Sequence, residues 1–374
     1  MERRTVRIVQ VAGFYGPRSG GLRTCVDALG AGYGAAGHTR VLVVPGAVDA
    51  DELTFAGRRV VLRSPELPRS GGYRVLVNRK RLASVIAGLR PDRLEVSDKL
   101  TAPFLGGLAR GLGVPSVLLS HERLDGILDV RLPRRFPRQA AADRWNRRVA
   151  SVYDAVVTAS DYAAAEFERV GRRTTRVPLG VDLETFRPDA AFRSPEDGRI
   201  FLACVTRLSK EKRPELAIDT VRGLRSRGVD VELTLVGAGP MEADLERQAA
   251  GLPVTFTGHL VHPVAVAGVL ARADVALSCC PVETFGLAAL EAMACGTPVV
   301  IAGGGGGPEL AAPGAAAVAE PTARSFADAV LSLLGPGRAE RRRAARAHAE
   351  RYPWSATVSR MLDVHQALAL QPAC

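Results

Sequence analysis

Across its 374 residues the chain lacks most of the marks by which whole classes of protein are recognised. It has six cysteines (Cys25, Cys204, Cys279, Cys280, Cys295 and Cys374) but no CxxC pair and no metal-ligand spacing. This argues against a disulfide scaffold or zinc module and for reduced, mostly buried thiols in a cytoplasmic enzyme. No apolar run approaches the roughly 18 residues that a membrane span requires. The start, Met1-Glu2-Arg3-Arg4-Thr5-Val6, leads straight into a strand pattern with no apolar export segment. Aromatic residues make up 5% and do not interleave with the arginines, which argues against stacking on single-stranded nucleic acid. No Ser/His/Asp triad, HExxH or P-loop supports a hydrolase, zinc-protease or NTPase reading.

What is present is an ordinary globular composition, 47% hydrophobic and 24% charged, at a length that suits two domains. The net charge of +11 is unevenly placed. Residues 1–185 hold 30 of the 50 Lys and Arg but 19 of the 39 Asp and Glu, so the entire excess lies there. A basic half points to an anionic partner, a membrane surface or a nucleic acid, against the plainer reading of a solvated arginine-rich face.

Strand and helix signals alternate through both halves. In the first, strands are expected at Val6–Val11, Val41–Val44, Leu94–Val96, Val117–Leu119 and Ala155–Thr158, with helices near Leu22–Ala36, Arg79–Leu89, Ala102–Gly111, Arg138–Ser151 and Tyr162–Val170. The second half repeats the pattern from Ile200–Val205 to Pro298–Ile301. This alternation predicts an α/β protein of two doubly wound, Rossmann-like domains facing each other. The joint is expected in Asp182–Arg199, where Pro188, Pro195 and Gly198 interrupt any period. The resulting division is 1–185, 186–352 and a terminal helix, 353–374.

The strongest local signal is Glu283-Thr284-Phe285-Gly286-Leu287-Ala288-Ala289-Leu290-Glu291. The strand Val275-Ala276-Leu277 precedes it and helix-forming residues follow, which places Glu283 at a strand's carboxyl end, where open α/β sheets bind ligands. The amides of Phe285, Gly286 and Leu287 are expected at a helix N-terminus, an environment that favours a diphosphate. Glu291 lies about two turns along the same helix. Arg207 and Lys212 follow the strand Phe201–Val205 and supply two cations beside another helix start. Gly20 and Gly21, with Arg18 before them, open the first helix. They form neither GxGxxG nor a P-loop, and a plain tight turn competes with ligand approach. His121 and Asp98 also end strands, and Asp98 and Arg18 are expected to meet the acceptor or a membrane surface. A lone histidine is more often structural, but this one sits where sites form. The run Gly303–Gly307 reads as a flexible loop. Arg341–Arg346 reads as the coat of a surface helix. Arg131–Arg148, with Arg144, Arg147 and Arg148 beside Leu132, Phe136, Trp145 and Val149, reads as a basic amphipathic segment able to lie on an anionic bilayer.

Together these residues resemble the retaining GT-B glycosyltransferases of family 4. The likeness rests on Gly20-Gly21, Val177-Pro178-Leu179-Gly180-Val181-Asp182, the Arg207/Lys212 pair and the Glu283–Glu291 segment. Phe14–Thr24, Leu94–Asp98 and Ser120–Asp125 are similar to the actinobacterial phosphatidylinositol-mannoside α-mannosyltransferases. The resemblance implies two domains about a central cleft, a GDP-mannose donor, no cofactor or metal, and a lipid-linked acceptor at the inner face of the plasma membrane. Arg207 and Lys212 would neutralise the diphosphate, Glu283 hold sugar hydroxyls and Glu291 bind the ribose. His121 would meet a sugar hydroxyl, and Gly20 and Gly21 approach phosphate and acceptor. Where the family reads the base, Gly258-His259-Leu260-Val261-His262 has no Asp for guanine. A same-fold alternative uses another nucleotide sugar on a soluble acceptor.

Overall fold

A computed structural model of the protein describes residues 5–16, 20–67, 72–131, 136–188, 198–335 and 337–369. The chain divides into two units, 1–179 with 354–374, and 180–353. The first division falls at Leu179/Gly180, ahead of the expected joint. The reason is local packing. Val181 and Phe186 are buried, Val181 N–H donates to the Tyr352 carbonyl, and Arg346 Nη1 donates to the Phe186 carbonyl at 2.8 Å.

In chain order the first unit contains Arg7–Val11 (β1), Gly20–Ala35 (α1), Thr39–Gly46 (β2), Ala50–Thr54 (β3), Gly57–Arg63 (β4), Arg79–Leu89 (α2) and Arg93–Val96 (β5). Ala102–Gly111 (α3), Ser116–Ser120 (β6), Leu124–Arg131 (α4), Arg138–Ala150 (α5), Ala155–Thr158 (β7), Asp161–Glu168 (α6) and Thr175–Arg176 (β8) complete its first passage. The second unit contains Ile200–Val205 (β9), Glu215–Arg225 (α7), Val231–Val236 (β10), Glu242–Gln248 (α8), Val254–Gly258 (β11), Pro263–Arg272 (α9) and Val275–Ser278 (β12). Leu287–Ala294 (α10), Val299–Ala302 (β13), Ala316–Ala319 (β14), Ala323–Leu334 (α11) and Arg338–Ala349 (α12) follow, and Trp354–Ala369 (α13) returns to the first unit.

The first sheet has the order β3-β4-β2-β1-β5-β6-β7-β8 and the second β11-β10-β9-β12-β13-β14. Among the described residues the named strands all pair in parallel except β3 with β4. Central strands such as β1 and β13 are apolar runs buried on both faces, as parallel sheets covered by helices require. The β3–β4 hairpin leaves no pattern in the sequence, because β3, Ala50-Asp51-Glu52-Leu53-Thr54, is largely exposed and offers no buried alternation. Each sheet reverses its winding once, between β1 and β5 and between β9 and β12. Such switch points open a crevice at the carboxyl ends of the two strands concerned.

α13 is tied to the first sheet by a buried polar cluster. Glu95 on β5 is fully buried; its carboxylate accepts from Gln10 Nε2 at 2.6 Å and the Tyr33 hydroxyl at 2.8 Å, and lies 3.1 Å from His365 Nε2. Burial works against the Glu95 charge, but His365, Gln10 and Tyr33 hold its carboxyl below its ordinary value. Glu95→Ala leaves three buried groups without their acceptor, at about 1–3 kcal/mol each. Thermal unfolding of that variant is expected to show a loss of at least about 3 kcal/mol.

Candidate functional site

The switch point of the second unit brings the sequence-predicted donor residues together. β9 pairs directly with β12, Leu202 beside Val275 and Ala203 beside Ala276. The loop after β9 carries Arg207 and, on a short 3-10 turn, Lys212; the loop after β12 carries Glu283. Lys212 Nζ lies 2.7 Å from Glu283 Oε2, although 71 residues separate them, and both side chains are about a quarter exposed (26% and 25%). Burial opposes both charges, yet each holds the other: the Lys212 ammonium titrates above its ordinary range and the Glu283 carboxyl below its own. Arg207 contributes to both balances, lowering the pKa of each partner. It is exposed. The result is an ion pair with a second cation beside it, at the mouth of a parallel sheet.

The loop is braced from two sides. Leu208 N–H donates to the Ala238 carbonyl and Met241 N–H to the Leu208 carbonyl, so the turn Gly237-Ala238-Gly239-Pro240 supports the Arg207 segment. In the sequence, the Gly and Pro spacing is the one local mark of this turn. Cys280, buried with its thiol pushed up to about 11 chiefly by burial, donates to the Glu211 carbonyl at 3.1 Å. A water-sized cavity of about 30 Å³ lies here, lined in part by Thr206, Cys280, Glu283, Gly286 and Ala288.

Two expectations about this segment are corrected. The helix begins at Leu287, not near Glu283, because Gly286 at φ +100° forms a left-handed N-cap. The Phe285 ring is buried and meets Tyr352 edge-on at 6.4 Å. Of the three amides assigned to a helix N-terminus, Leu287 alone lies within the helix. The run Gly303–Gly307 is not a loose loop but a close-fitting support: Gly306 N–H donates to the Glu283 carbonyl at 2.6 Å. At Gly305, φ +71°, a Cβ would stand 2.7 Å from that same carbonyl oxygen. Only glycine lets the backbone come so near.

Glu291 occupies α10, half-buried, and burial alone raises its carboxyl to about 8. It is a carboxyl kept largely neutral by desolvation, in contrast to Glu283.

In the first unit, Gly20 and Gly21 are exposed at the start of α1. A Cβ at Gly20 would touch nothing, so no protein contact demands glycine there. Arg18 lies outside the described residues. His121 follows β6, and burial pushes its imidazole down to about 4, so it is neutral at pH 7. Asp98 is corrected from an acceptor contact to an internal brace. It is buried and accepts from Gly13 N–H at 3.0 Å, Thr101 N–H at 2.8 Å and the Thr101 hydroxyl at 2.8 Å. The two switch-point loops of this unit are thereby joined.

Arg144, Arg147 and Arg148 are exposed on α5, but the apolar side of that helix does not face outward. Val149 belongs to the core and Trp145 donates its indole N–H to the Lys99 carbonyl at 3.0 Å, so neither is free for lipid; Phe136 is 46% exposed, and Leu132 lies outside the described residues. Arg341–Arg346 is likewise no surface coat. Arg341 is buried against Asp274, and Arg342 and Arg346 donate to carbonyls at the ends of α9 and α10, where helix dipoles favour cations. Among the described residues no helix is long and apolar enough to cross a membrane, and no cluster of three His, Cys, Asp or Glu could hold a metal.

Two doubly wound units, the second with cations and a carboxylate at its switch point, define a GT-B glycosyltransferase. The chain belongs to that class: residues 20–180 match the family described as glycosyl transferase 4-like domain, and 199–335 match glycosyl transferases group 1. It is 45% identical to the GDP-mannose-dependent alpha-(1-6)-phosphatidylinositol dimannoside mannosyltransferase of Mycobacterium tuberculosis strain H37Ra, over 99% of this chain and 98% of that one. It is 29% identical to the corresponding monomannoside mannosyltransferase of Mycolicibacterium smegmatis over 88% of each. Among solved structures, sucrose-phosphate synthase of Thermosynechococcus elongatus superposes with a TM-score of 0.78 at 20% identity, covering 97% of this chain and 99% of that one. Anabaena HepE in complex with UDP gives 0.73 at 18%, covering 96% and 100%. These two likenesses concern the fold.

Two measurements check the site. Gly305→Ala is expected to destabilise by about 1–3 kcal/mol through backbone strain. Gly268→Ala, in helix α9 with open space for a Cβ, is expected to stabilise by about 0.5–1 kcal/mol in the same assay. For Glu291 the folded state holds its proton more tightly than the unfolded chain, whose ordinary value is 4.5. Its contribution is therefore present below pH 4.5 and lost as pH rises to about 8. Across that window the thermal midpoint should fall more in the parent protein than in Glu291→Gln.

Proposed function

We propose that the protein is a retaining α-mannosyltransferase that moves mannose from GDP-mannose to the 6-hydroxyl of a mannose on a phosphatidylinositol mannoside, with the dimannoside as acceptor. The observation that carries this reading is the Lys212–Glu283 pair with Arg207 beside it, at the switch point of the second unit. Near-full-length similarity to an enzyme of that name supports the choice of donor and acceptor.

In this reading Arg207 and Lys212 meet the diphosphate, whose negative charge grows as the glycosidic bond breaks. Preorganised cations stabilise that charge in proportion to its development. Glu283, held ionised by Lys212, accepts from sugar hydroxyls, with the Leu287 amide nearby. Glu291 accepts from the ribose hydroxyls. Their hydrogen bonds favour its charged form, so donor binding near neutral pH releases a proton. The neutral His121 ring meets a sugar hydroxyl. Gly20 and Gly21 present open amides at a helix start to phosphate or acceptor. The departing phosphate accepts the acceptor's proton on the same face, which retains the anomeric configuration. Neither a metal nor a cofactor enters this scheme.

The acceptor's lipid anchor implies peripheral attachment to the inner face of the plasma membrane, with exposed Arg144, Arg147 and Arg148 meeting anionic headgroups. A second reading is favoured by one observation: the stretch His259-Leu260-Val261-His262 after β11, exposed except at half-buried Leu260, offers no carboxylate to pair with guanine. It assigns a different nucleotide sugar and a soluble acceptor to the same machinery.

Calorimetry with GDP-mannose, UDP-glucose and UDP-N-acetylglucosamine separates the two readings; tighter binding of a UDP-sugar would remove GDP-mannose as donor. With the preferred donor, Glu283→Gln and Lys212→Ala are each expected to lower kcat by about 10²-fold or more while the fold survives.

A further inference from the structure

A buried ion pair in the first unit has no part in the proposed donor site. Glu166 on α6 is fully buried, and Lys99, in the loop after β5, is 9% exposed. Their side chains form a direct salt bridge through Lys99 Nζ and Glu166 Oε1. The other carboxylate oxygen accepts from Leu124 N–H at 3.0 Å and from Asn146 Nδ2 at 2.9 Å. The ammonium stands 4.8 Å from the centre of the Phe167 ring. One carboxylate thus holds three separate segments: the loop after β5, the start of α4 three residues beyond His121, where the loop after β6 ends, and helix α5.

Stability does not account for this arrangement. A buried ion pair gains little over apolar residues of the same shape, because desolvating two charges offsets most of their attraction. Burial accordingly lowers the pKa of the Lys99 ammonium, and Glu166 is the largest influence opposing it. Within the same cluster Asn146 Oδ1 is buried with no hydrogen-bond partner. What the pair supplies is direction. The loop after β6 is held to α6 twice, by Leu124 on Glu166 and by Arg123, whose Nη1 donates to the Tyr162 carbonyl at 3.1 Å and whose guanidinium stacks 4.1 Å from the Tyr162 ring.

We propose that Glu166, paired with Lys99, is a positioning residue for His121: it holds the loop after β6 at the level of the loop after β5, so that the imidazole stands ready for the sugar. The inference rests on the catalytic reading of His121. Glu166 itself touches no substrate.

The test is a set of variants measured with the full chain: His121→Ala, the double change Lys99→Met with Glu166→Gln, and all three together. The double change removes both charges at once, which avoids leaving one of them buried alone. It is expected to lower kcat by about 10–100-fold, the range that a misplaced catalytic group costs. Donor affinity by calorimetry should stay within about twofold, since the charged donor contacts, Arg207, Lys212 and Glu283, belong to the other unit. In the His121→Ala background the double change should cost less than about twofold more, because a residue that acts through His121 has nothing left to position.

A full, multiplicative loss in that background would overturn the proposal, as would wild-type kcat in the double variant. Wild-type kcat in His121→Ala alone would remove the catalytic reading of His121 instead, and that outcome is read separately. If the double variant does not fold, Glu166→Gln is followed by NMR titration of the His121 ring. A loosened loop should raise its pKa from about 4 toward 6.5. An unmoved titration would count against the proposal.

Discussion

The direct pairing of β9 with β12 is the constraint on which the chemistry of the second unit depends. In a doubly wound sheet the chain must leave the centre first to one side and then to the other, and the two strands flanking that reversal send their carboxyl-end loops into one crevice. Here those loops carry Lys212 and Glu283, and the 2.7 Å contact between them follows from the strand order. The glycine run after β13 and the Gly237–Pro240 turn after β10 then fix the backbone of each loop. An ammonium and a carboxylate that are only partly in water keep each other charged.

The first unit solves a related problem with buried carboxylates. Asp98 joins the loops after β1 and β5, Glu166 joins the loops after β5 and β6, and Glu95 joins the sheet to α13. Each is buried with several donors converging on it, so each ties segments distant in sequence. Loops at the carboxyl ends of strands carry function but have little apolar surface of their own, and polar bridges of this kind can order them.

Arginine plays a comparable part, and it changes the meaning of the chain's charge. Arg40 is buried, donating to Gln10 and to the Val26 and Ala56 carbonyls; Arg172 donates to the Tyr153 and Asp154 carbonyls; Arg342 and Arg346 cap helix ends. A planar guanidinium with five donors suits this use better than an ammonium. In the basic first half, Arg40 is therefore internal and Arg172 half-buried, while Arg144, Arg147 and Arg148 remain outside. The amphipathic pattern of Arg131–Arg148 misleads for the same reason: an apolar stripe on a basic helix serves a protein core as readily as a membrane, and periodicity does not distinguish them.

The alternation of apolar runs with helix-forming stretches was enough to specify two parallel, doubly wound sheets, because strands buried on both faces and helices of 3.6-residue period leave different patterns in the chain. It was also enough to nominate Arg207, Lys212 and Glu283, since charged residues in loops after buried strands stand at the ligand-binding end, and Glu291 two turns along the helix that follows. It did not foresee the β3–β4 hairpin, whose edge strand is exposed, nor the left-handed turn at Gly286 that delays α10. Whether Gly303–Gly307 is slack or closely fitted, whether Asp98 faces a ligand or an amide, and whether Trp145 meets lipid or a carbonyl were decided by tertiary structure. Those outcomes depend on which distant segment arrives within hydrogen-bonding distance, and local sequence carries no record of that neighbour.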